Sequence, residues 1–426
     1  MTVHAGRPPT EASPARLPAH ARMAPMHALA RLLLAAFALM PAACASHQSD
    51  STPAASAGAK LRVASYNVSL YDDQAGGLVR RLENGDEGAR KVAAVLQQVR
   101  PDLVLLNEFD YDAEGRAADL FQRHYLEQPQ SGGGDALHYP YRYFAEVNTG
   151  VPSGLDLDRN GTVGGAGRER GNDAWGYGLH PGQYGMLVLS KYPLDIARVR
   201  SFRLLKWSSM PGARVPQDPK TGRPFYAENV WKQLRLSSKS HWDVPVMTPQ
   251  GEIHFLVAHP TPPTFDGPED RNGARNADEI RLWADYVSGR PQPWLCDDAG
   301  RCGGLGDDAN FVIAGDLNAD PIDGDSRPGG IDQLLKHPRV LDYPAPRSSG
   351  APEQARLYGL PRKGDTAVHT GDFGPRAGTL RIDYVLPSRG LRVRDAGVAW
   401  PSKANEAARF SDGSDHHAVW ADVVAD

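Results

Sequence analysis

The chain has 426 residues, of which 47 are Lys or Arg and 51 are Asp or Glu, giving a net charge of −4. This balance argues against a protein that relies on a strongly basic surface to hold long nucleic acid, although a bound metal can supply positive charge locally. The length and the 41% hydrophobic content suit one large α/β domain with insertions rather than a small module.

The first 45 residues are predicted to be an export signal. Arginines precede a short apolar run at residues 32–40, and small residues follow it, which is the plan of a secretory signal. Two processing routes stay open: cleavage after Ala45, or lipidation of Cys44 with attachment to a membrane. The expected location is periplasmic, anchored to the outer membrane, or secreted. Residues 46–60 are expected to form a flexible Ser/Ala/Pro linker.

Residues 61–426 are predicted to form the folded domain. It opens with a buried strand, LRVASYNV, followed by GARKVAAVLQQVR with apolar residues at helical spacing and then by the strand LVLLNE. The same order of strand, helix and strand recurs in EIHFLVAH, ADEIRLWADYV and FVIAGDLN. These units predict a layered α/β domain. Long Gly-rich or Pro-rich loops are predicted at 145–183, 205–240 and 285–310.

Polar side chains follow the predicted strands at the point where each strand ends. In chain order they are Asn67, Glu108, His259, Asp316, Asn318, Asp383, Asp415 and His416. Core strands normally end in turn residues, whereas these end in metal ligands and proton carriers. Taken singly, each has an alternative role in a turn, an ion pair or the surface. Together they predict one metal-dependent active site built from strand ends.

These residue types suit the hydrolysis of a phosphate ester. The reaction requires neutralised phosphoryl charge, a deprotonated water and a stabilised leaving oxygen. Hard oxygen ligands such as those of Asn67 and Glu108 favour Mg²⁺ or Mn²⁺. Asp316 can accept the proton of the water while Asn318 holds the water or the phosphate.

These residues fall in six segments, which carry in order Asn67, Glu108, His259, Asp316 with Asn318, Asp383, and Asp415 with His416. The order of these segments, and the combination of GDLNADP with a terminal SDHH, resemble the endonuclease/exonuclease/phosphatase superfamily of DNase I-like enzymes. The resemblance runs from residue 61 to 424, interrupted by the loops. It implies a four-layered α/β/β/α sandwich, in which two mixed β-sheets lie face to face with helices outside. One departure is Asn107, since the superfamily usually has Gln before the metal-binding Glu.

The resemblance also implies how the metal and the water are held. Asn67 and Glu108 would bind the catalytic Mg²⁺ or Mn²⁺, and Asp415 would hold either this metal or the neighbouring histidine. Asp316 would activate or orient the water. Asn318 would contact the phosphate.

The histidines and one tyrosine complete the implied site. His259 and His416 would bind the phosphoryl oxygens and assist proton transfer. Asp383 would partner a histidine, and we expect it to orient His259. Tyr184 would contact the phosphate. His241 has only local support, in KSHWDVP: it lines the pocket or, as the favoured alternative, belongs to a structural turn.

The first long loop contains half of a calcium-binding pattern. Asp156, Asp158 and Asn160, followed by a glycine, place alternate oxygens around one cation. The twelfth position of the pattern is Gly167 rather than an acid, so Asp173 or a more distant carboxylate would have to complete the site. The alternative is an Asp/Asn/Gly turn without metal. A structural Ca²⁺ is the favoured prediction.

The other two loops carry cysteines and tryptophans. Cys296 and Cys302 are predicted to form a structural disulfide rather than a zinc site. Trp207, Trp231 and Trp242 either wall off a compact pocket or pack the loops onto the sandwich.

The predicted function is phosphodiester hydrolysis by an exported, divalent-metal-dependent enzyme. The substrate would be a phosphate ester such as nucleic acid or a phospholipid head group, and no protein partner is evident. The alternatives are a phosphomonoesterase, a sphingomyelinase-like head-group hydrolase, an extracellular nuclease, and a catalytically silent binding protein of the same fold. The superfamily changes specificity through its loops, so the motifs do not choose among substrates.

Overall fold

The computed structural model describes residues 60–425 of the chain. Cys44, Ala45 and nearly all of the predicted linker lie outside the described residues, so export, lipidation and cleavage stay predictions. None of the helices in residues 60–425 has the length and apolar character that crossing a bilayer requires.

The described residues alternate strands with helices. The strands are β1 (Leu61–Leu70), β2 (Leu103–Phe109), β3 (Tyr141–Phe144), β4 (Met186–Ser190), β5 (Arg200–Ser201), β6 (His241–Thr248), β7 (Gly251–Ala258), β8 (Phe311–Asp316), β9 (Gly371–Asp372), β10 (Thr379–Leu380), β11 (Asp383–Pro387), β12 (Leu391–Val398) and β13 (Val419–Ala425). The α-helices are α1 (Gly77–Asn84), α2 (Glu87–Val99), α3 (Arg116–Phe121), α4 (Arg168–Asn172), α5 (Glu228–Trp231), α6 (Arg271–Tyr286), α7 (Asp332–Leu335), α8 (Gly350–Tyr358) and α9 (Gly374–Ala377). Short helical turns of 3₁₀ or π type occupy Gln122–Leu126, Ile196–Arg198, Trp207–Ser209, Thr366–Val368 and Glu406–Phe410.

Two mixed sheets form the centre of the fold. The first has the strand order β12-β13-β1-β2-β4-β3, and the second has the order β11-β8-β7-β6-β5. β1 runs parallel to β2, and β7 runs parallel to β8, while their other neighbours are antiparallel. Each parallel pair is joined through helices, as a crossover connection requires. β9 and β10 form a separate two-stranded ribbon.

Alternate residues of the central strands face different apolar layers. Val63 and Leu105 lie in the core between the two sheets, together with Phe255 of the second sheet. Ala64 and Leu106, one position on, pack under the helices that cover the first sheet. This period of two follows from the strand pleat. Helices α2 and α6 cover the outer faces of the first and second sheets, so the predicted four-layered sandwich is confirmed.

The helix predicted from GARKVAAVLQQVR is α2, and local signals explain its ends. The Asp86 side chain accepts a hydrogen bond from the backbone N–H of Ala89 at 2.7 Å, which caps the N-terminus. Arg100 adopts φ 50° at the C-terminus, and Pro101 cannot continue the helix. The helix predicted within residues 277–287 is α6, which begins earlier, at Arg271. The sequence pattern missed its first turns because the residues buried there are small or polar and show no apolar period.

The long loops pack against the sandwich rather than wall off a pocket. Trp207 is 1% exposed, and Trp231 packs against it with ring centroids 4.9 Å apart and the rings tilted by 50°. Trp242 lies in β6 rather than in a loop and is 0% exposed. Of the two alternatives for these tryptophans, the structure shows packing onto the sandwich: Trp207 and Trp242 lie in the core, and Trp231 is partly buried against it. The predicted disulfide between Cys296 and Cys302 is present.

Candidate active site

The predicted strand-end residues come together at one edge of the sandwich. Asn67 lies in β1, in register with Asn107 of the parallel strand β2, and Glu108 follows Asn107. In the second sheet, Asp316 ends β8 and pairs with Asp383, which begins β11. Both sheets therefore contribute carboxylates to the same edge, as the sequence predicted.

Buried amides join the two sheets at this edge. Asn67 Nδ2 donates to Asp316 Oδ2 at 3.1 Å. The backbone N–H of Asp316 donates to Asn107 Oδ1 at 3.1 Å, and Asn107 Nδ2 donates to the carbonyl oxygen of Ala258 at 3.4 Å. Asn107, which the sequence marked only as a departure, thus fixes the position of Asp316 from the opposite sheet.

Asp316 is the centre of the cluster. Its Oδ2 lies 3.3 Å from His259 Nε2 and 3.7 Å from His416 Nε2, and His259 Nε2 lies 4.0 Å from Glu108 Oε1. Burial alone would raise the pKa of Asp316, but His416 and His259 together hold it below its ordinary value. Burial, helped by the charge of Lys239, lowers the pKa of His259 to about 4. At neutral pH the cluster thus contains an ionised Asp316 and a neutral His259.

The cluster suits a divalent cation. Glu108, His259 and Asp316 each offer a ligand atom, and these atoms lie within 4.8 Å of one another. Burial raises the pKa of Glu108, since its charge is poorly solvated, and a bound cation would relieve that cost. Two carboxylates beside the Asn67 amide form the hard donor set that Mg²⁺ and Mn²⁺ prefer. His259 is a further candidate ligand that the resemblance had assigned to the phosphoryl oxygens.

Three residues of the site adopt a left-handed backbone conformation. Glu108, Tyr184 and Asn318 have φ values of 56°, 55° and 51°. Each such conformation of a non-glycine residue costs on the order of 1 kcal/mol or more, and such strain concentrates at functional sites. The backbone N–H of Asn318 donates to Asp316 Oδ1 at 2.9 Å and its amide Nδ2 donates to the carbonyl oxygen of Pro260 at 3.1 Å, which keeps the amide beside Asp316.

His416 and Asp383 form a second buried unit of the site. His416 Nδ1 lies 2.9 Å from Asp383 Oδ2, which also accepts a hydrogen bond from the Thr370 hydroxyl at 2.7 Å. Burial by itself would lower the pKa of His416, but Asp383 and Asp316 raise it well above its ordinary value. The expectation that Asp383 orients His259 is therefore wrong, because its partner is His416.

Two predicted residues lie at the rim of the cluster. Asp415 is exposed, and its Oδ1 accepts a hydrogen bond from the Ser69 hydroxyl at 3.0 Å. Among the described residues, no group of three candidate metal ligands includes Asp415. Tyr184 is held by its backbone N–H, which donates to Asp110 Oδ1 at 3.0 Å, and its ring lies 4.5 Å from that of Tyr71. Burial raises the pKa of Tyr184, and the neighbouring Tyr71 and Glu108 add to that effect.

His241 does not reach the cluster. Its ring is fully buried, with Nδ1 2.7 Å from the Ser237 hydroxyl and Nε2 2.9 Å from the carbonyl oxygen of Glu279. Burial lowers its pKa to about 3. Both nitrogens are therefore occupied inside the fold, which leaves no atom for a substrate. The role is structural, as the favoured alternative had it, but His241 begins strand β6 rather than belonging to a turn.

Three residues near the cluster were missed by the sequence reasoning: Lys239, Glu279 and Thr370. Lys239 lies two positions before His241 in the same segment, where no periodic pattern distinguishes it from a surface lysine. Glu279 lies within a helix that the apolar pattern found, where an acid is ordinarily assigned to the surface; here it is 0% exposed. Thr370 carries no sequence signal of its own.

The half calcium pattern also assembles. Asp156, Asp158 and Asp173 offer carboxylate oxygens within 4.8 Å of one another, so Asp173 stands where the pattern lacked an acid. The loop bonds to itself, however: Asp173 accepts the backbone N–H groups of Leu157 and Gly164, each at 2.7 Å. The Asn160 amide oxygen accepts a backbone N–H within the same loop. Calcium binding therefore stays a prediction.

Comparison with known proteins identifies the family. A sequence model described as the endonuclease/exonuclease/phosphatase family matches residues 64–416. The fold and the strand-end cluster define a DNase I-like α/β sandwich, and the chain belongs to the endonuclease/exonuclease/phosphatase family. Members of this family are generally hydrolases that act on phosphoesters. A comparison with curated proteins gave no match.

Solved structures with a similar fold include three bacterial proteins. An endonuclease/exonuclease/phosphatase from Beutenbergia cavernae is 21% identical with a TM-score of 0.46, covering 86% of this chain and 72% of its own. Sphingomyelinase C from Streptomyces griseocarneus is 18% identical with a TM-score of 0.42, over 85% and 99% of the two chains. A Staphylococcus aureus beta toxin variant with bound magnesium ions is 13% identical with a TM-score of 0.41, over 86% and 100%. Identities this low carry no information on the substrate.

Proposed function

We propose that the protein hydrolyses phosphodiester bonds with a divalent metal ion, Mg²⁺ or Mn²⁺. The observation that carries this proposal is the convergence of Glu108, His259 and Asp316 within 4.8 Å, next to the buried pair of His416 and Asp383. Carboxylates that gather around one point, with a cationic imidazole beside them, suit a reaction in which negative charge develops on phosphoryl oxygens.

Each group has a definable task in this proposal. Glu108, Asn67 and His259 would hold the metal, which when bound neutralises phosphoryl charge and acidifies water. Asp316, kept ionised mainly by the cationic His416, accepts the proton of the attacking water. His416, kept cationic by Asp383, stabilises the negative charge on the phosphoryl group. Asn318 orients the water or the phosphate through its amide.

Removal of the metal is expected to abolish turnover. Purified protein should hydrolyse bis-p-nitrophenyl phosphate faster than p-nitrophenyl phosphate, and EDTA should lower the rate by at least about 10²-fold, since the metal supplies both charge and an activated water. Added Mg²⁺ or Mn²⁺ should restore the rate. Preference for the monoester would establish the phosphomonoesterase alternative, and no turnover of any phosphate ester would favour the binding-protein alternative.

The candidate substrates are nucleic acid and a phospholipid head group such as that of sphingomyelin. A panel of duplex DNA, RNA and sphingomyelin, assayed at low and high salt, separates them. A nuclease that contacts several phosphates should lose affinity steeply as salt rises. The net charge of −4 favours a small or head-group diester over long nucleic acid.

We also propose that the protein is exported. The support is the sequence of residues 1–45 alone, with its apolar run and small-residue end. N-terminal sequencing and mass analysis of the mature protein would distinguish cleavage after Ala45 from lipidation of Cys44.

Calcium is proposed to stabilise the first long loop, separately from the catalytic metal. Adding Ca²⁺ should raise the thermal midpoint, because a ligand that binds only the native state stabilises it. Replacing both Asp156 and Asp158 by Ala should remove that increase while leaving turnover with Mg²⁺ intact. A Ca²⁺ response that survives in the double variant would place the bound ion elsewhere.

A further inference from the structure

Lys239 is a buried lysine without a partner. The residue is 6% exposed, and among the described residues its ammonium forms no hydrogen bond and no ion pair within 4.0 Å. Its Nζ is not among the fully buried unpaired side-chain atoms of residues 60–425, so the ammonium keeps some contact with solvent. An ammonium with so little water around it and no protein partner is costly, so proteins seldom keep one without a use. The side chain therefore requires an explanation that packing does not supply.

The segment of Lys239 lies beside the active-site cluster, since the neighbouring Ser238 hydroxyl donates to the carbonyl oxygen of His259 at 3.3 Å. Burial lowers the pKa of Lys239, while the charges of Glu108, Glu279 and Asp316 act in the opposite direction. Lys239 in turn acts on the pKa values of Glu108 and His259, lowering both. The positive charge is thus close enough to be felt by the candidate metal ligands, yet it stands more than 4.0 Å from every carboxylate of the described residues.

The backbone that carries Lys239 is fixed in position. Glu279 accepts the backbone N–H of Ser238 on one carboxylate oxygen and the backbone N–H of Thr261 on the other, each at 2.6 Å. One buried acid therefore ties the segment of Lys239 to the segment that follows His259. On the other side, the carbonyl oxygen of Lys239 accepts the backbone N–H of Asn148 at 2.9 Å. Preorganisation of this kind is what a binding group requires.

A role as a simple counter-ion does not fit these contacts. Both oxygens of Glu279 are already satisfied by backbone N–H groups, and Glu108 is not in contact with the ammonium. A lysine that served only to neutralise Glu108 would be expected to touch it. Among the described residues, the ammonium thus has no protein partner that an oxygen of a ligand would have to displace.

We propose that Lys239 is a substrate-binding residue whose ammonium contacts a non-bridging phosphoryl oxygen on the side of the cluster occupied by Glu108 and His259. The proposal deepens the proposed function and rests on it for the identity of the substrate as a phosphate ester. Lys239 and the metal would hold the phosphoryl group from two directions. Because the ammonium is positively charged, it would attract the phosphoryl oxygens and repel the metal ion.

This arrangement predicts effects of opposite sign on two ligands. In Lys239→Met, affinity for inorganic phosphate should fall by about 10-fold or more, since a charged hydrogen bond is lost. Affinity for Mn²⁺ should hold or rise, because a positive charge near Glu108 and Asp316 is removed. Calorimetry with phosphate alone and Mn²⁺ binding followed by electron paramagnetic resonance measure both without turnover.

The control and the second variant keep the test decisive. Lys191→Met removes a lysine whose ammonium pairs with Asp102 at 3.0 Å, at the opposite end of β2, and should change neither affinity. If Lys239→Met fails to fold, Lys239→Gln provides the same loss of charge with a polar side chain. Phosphate affinity that falls while Mn²⁺ affinity holds or rises supports the proposal. Unchanged phosphate affinity, or a fall in both affinities, overturns it.

The outcome is separable from that of the proposed function. Suppose that Lys239→Met loses phosphate affinity and keeps Mn²⁺ affinity, but that the wild-type protein hydrolyses no phosphate ester. The assignment of Lys239 would then stand, and the proposed enzymatic activity would be refuted. Wild-type turnover with unchanged phosphate affinity in Lys239→Met would do the reverse.

Discussion

Glu108→Gln and Asp316→Asn are each expected to lower kcat by at least about 10²-fold, since one removes a metal-binding charge and the other the group that takes the proton of the water. Both substitutions keep the size of the side chain. The hydrogen bonds that Asn67 and Asn107 form with residue 316 across the two sheets can therefore largely persist. The measurement is steady-state turnover of bis-p-nitrophenyl phosphate at saturating Mg²⁺.

A second measurement separates the two roles. Glu108→Gln should weaken Mn²⁺ binding, because a charged ligand of the candidate metal group is neutralised. Asp102→Asn, directly before β2, is the matched control and should leave kcat within about 2-fold of wild type, because its carboxylate accepts from the Arg62 backbone and from Lys191 rather than contacting the cluster. Near-wild-type turnover in either active-site variant would remove that residue from the assignment.

Asp383→Asn and His416→Ala should each lower kcat/KM by about 10²-fold or more, and the double variant should be no worse than the weaker of the two. The two side chains are 2.9 Å apart and buried, so removal of either leaves the other without its partner. Groups that act as one unit show such non-additivity. The measurement is kcat/KM for the four members of the double-mutant cycle.

Thr370→Val supplies the control for this cycle. It removes the hydroxyl that donates to Asp383 Oδ2 at 2.7 Å while keeping both charges of the pair. The Thr370 hydroxyl oxygen also accepts the backbone N–H groups of Ile382 and Asp383 at 3.1 and 3.0 Å, so the variant also needs a check of its thermal midpoint. Its effect on kcat/KM should be about 10-fold or less, because both charges of the pair remain. Additive losses in the cycle, with the double variant slower than either single by the product of their effects, would show that Asp383 and His416 act independently.

Much of the site was predictable because its residues end strands. Asn67, Glu108 and Asp316 follow apolar runs whose directions the strand–helix–strand order indicates, so their convergence at one edge could be inferred. The layers followed from the same runs. For the residues from His259 to His416, the motifs of the family indicated that they belong to the same site.

What failed depended on distances between segments remote in the chain. Asp383 had two histidines available, and only the folded arrangement shows that His416 is the one beside it. Trp207 and Trp242 had equal claims to a pocket and to the core, because apolar pattern does not distinguish the two. Lys239 lies in an irregular stretch without apolar periodicity. The role inferred for it depends on its burial and on its lack of a partner among the described residues, and both are properties of the folded chain.

The order of the strands has a consequence for when the protein can become active. β13, the last strand of the described chain, pairs with β1, the first, and lies between β1 and β12 in the first sheet. His416 directly precedes that final strand, and Asp316 is bonded to amides from the opposite sheet. A chain that emerges from its N-terminus therefore carries every earlier ligand in an incomplete site until its final residues arrive. Under the proposed function, partial chains that end before His416 would lack a complete site.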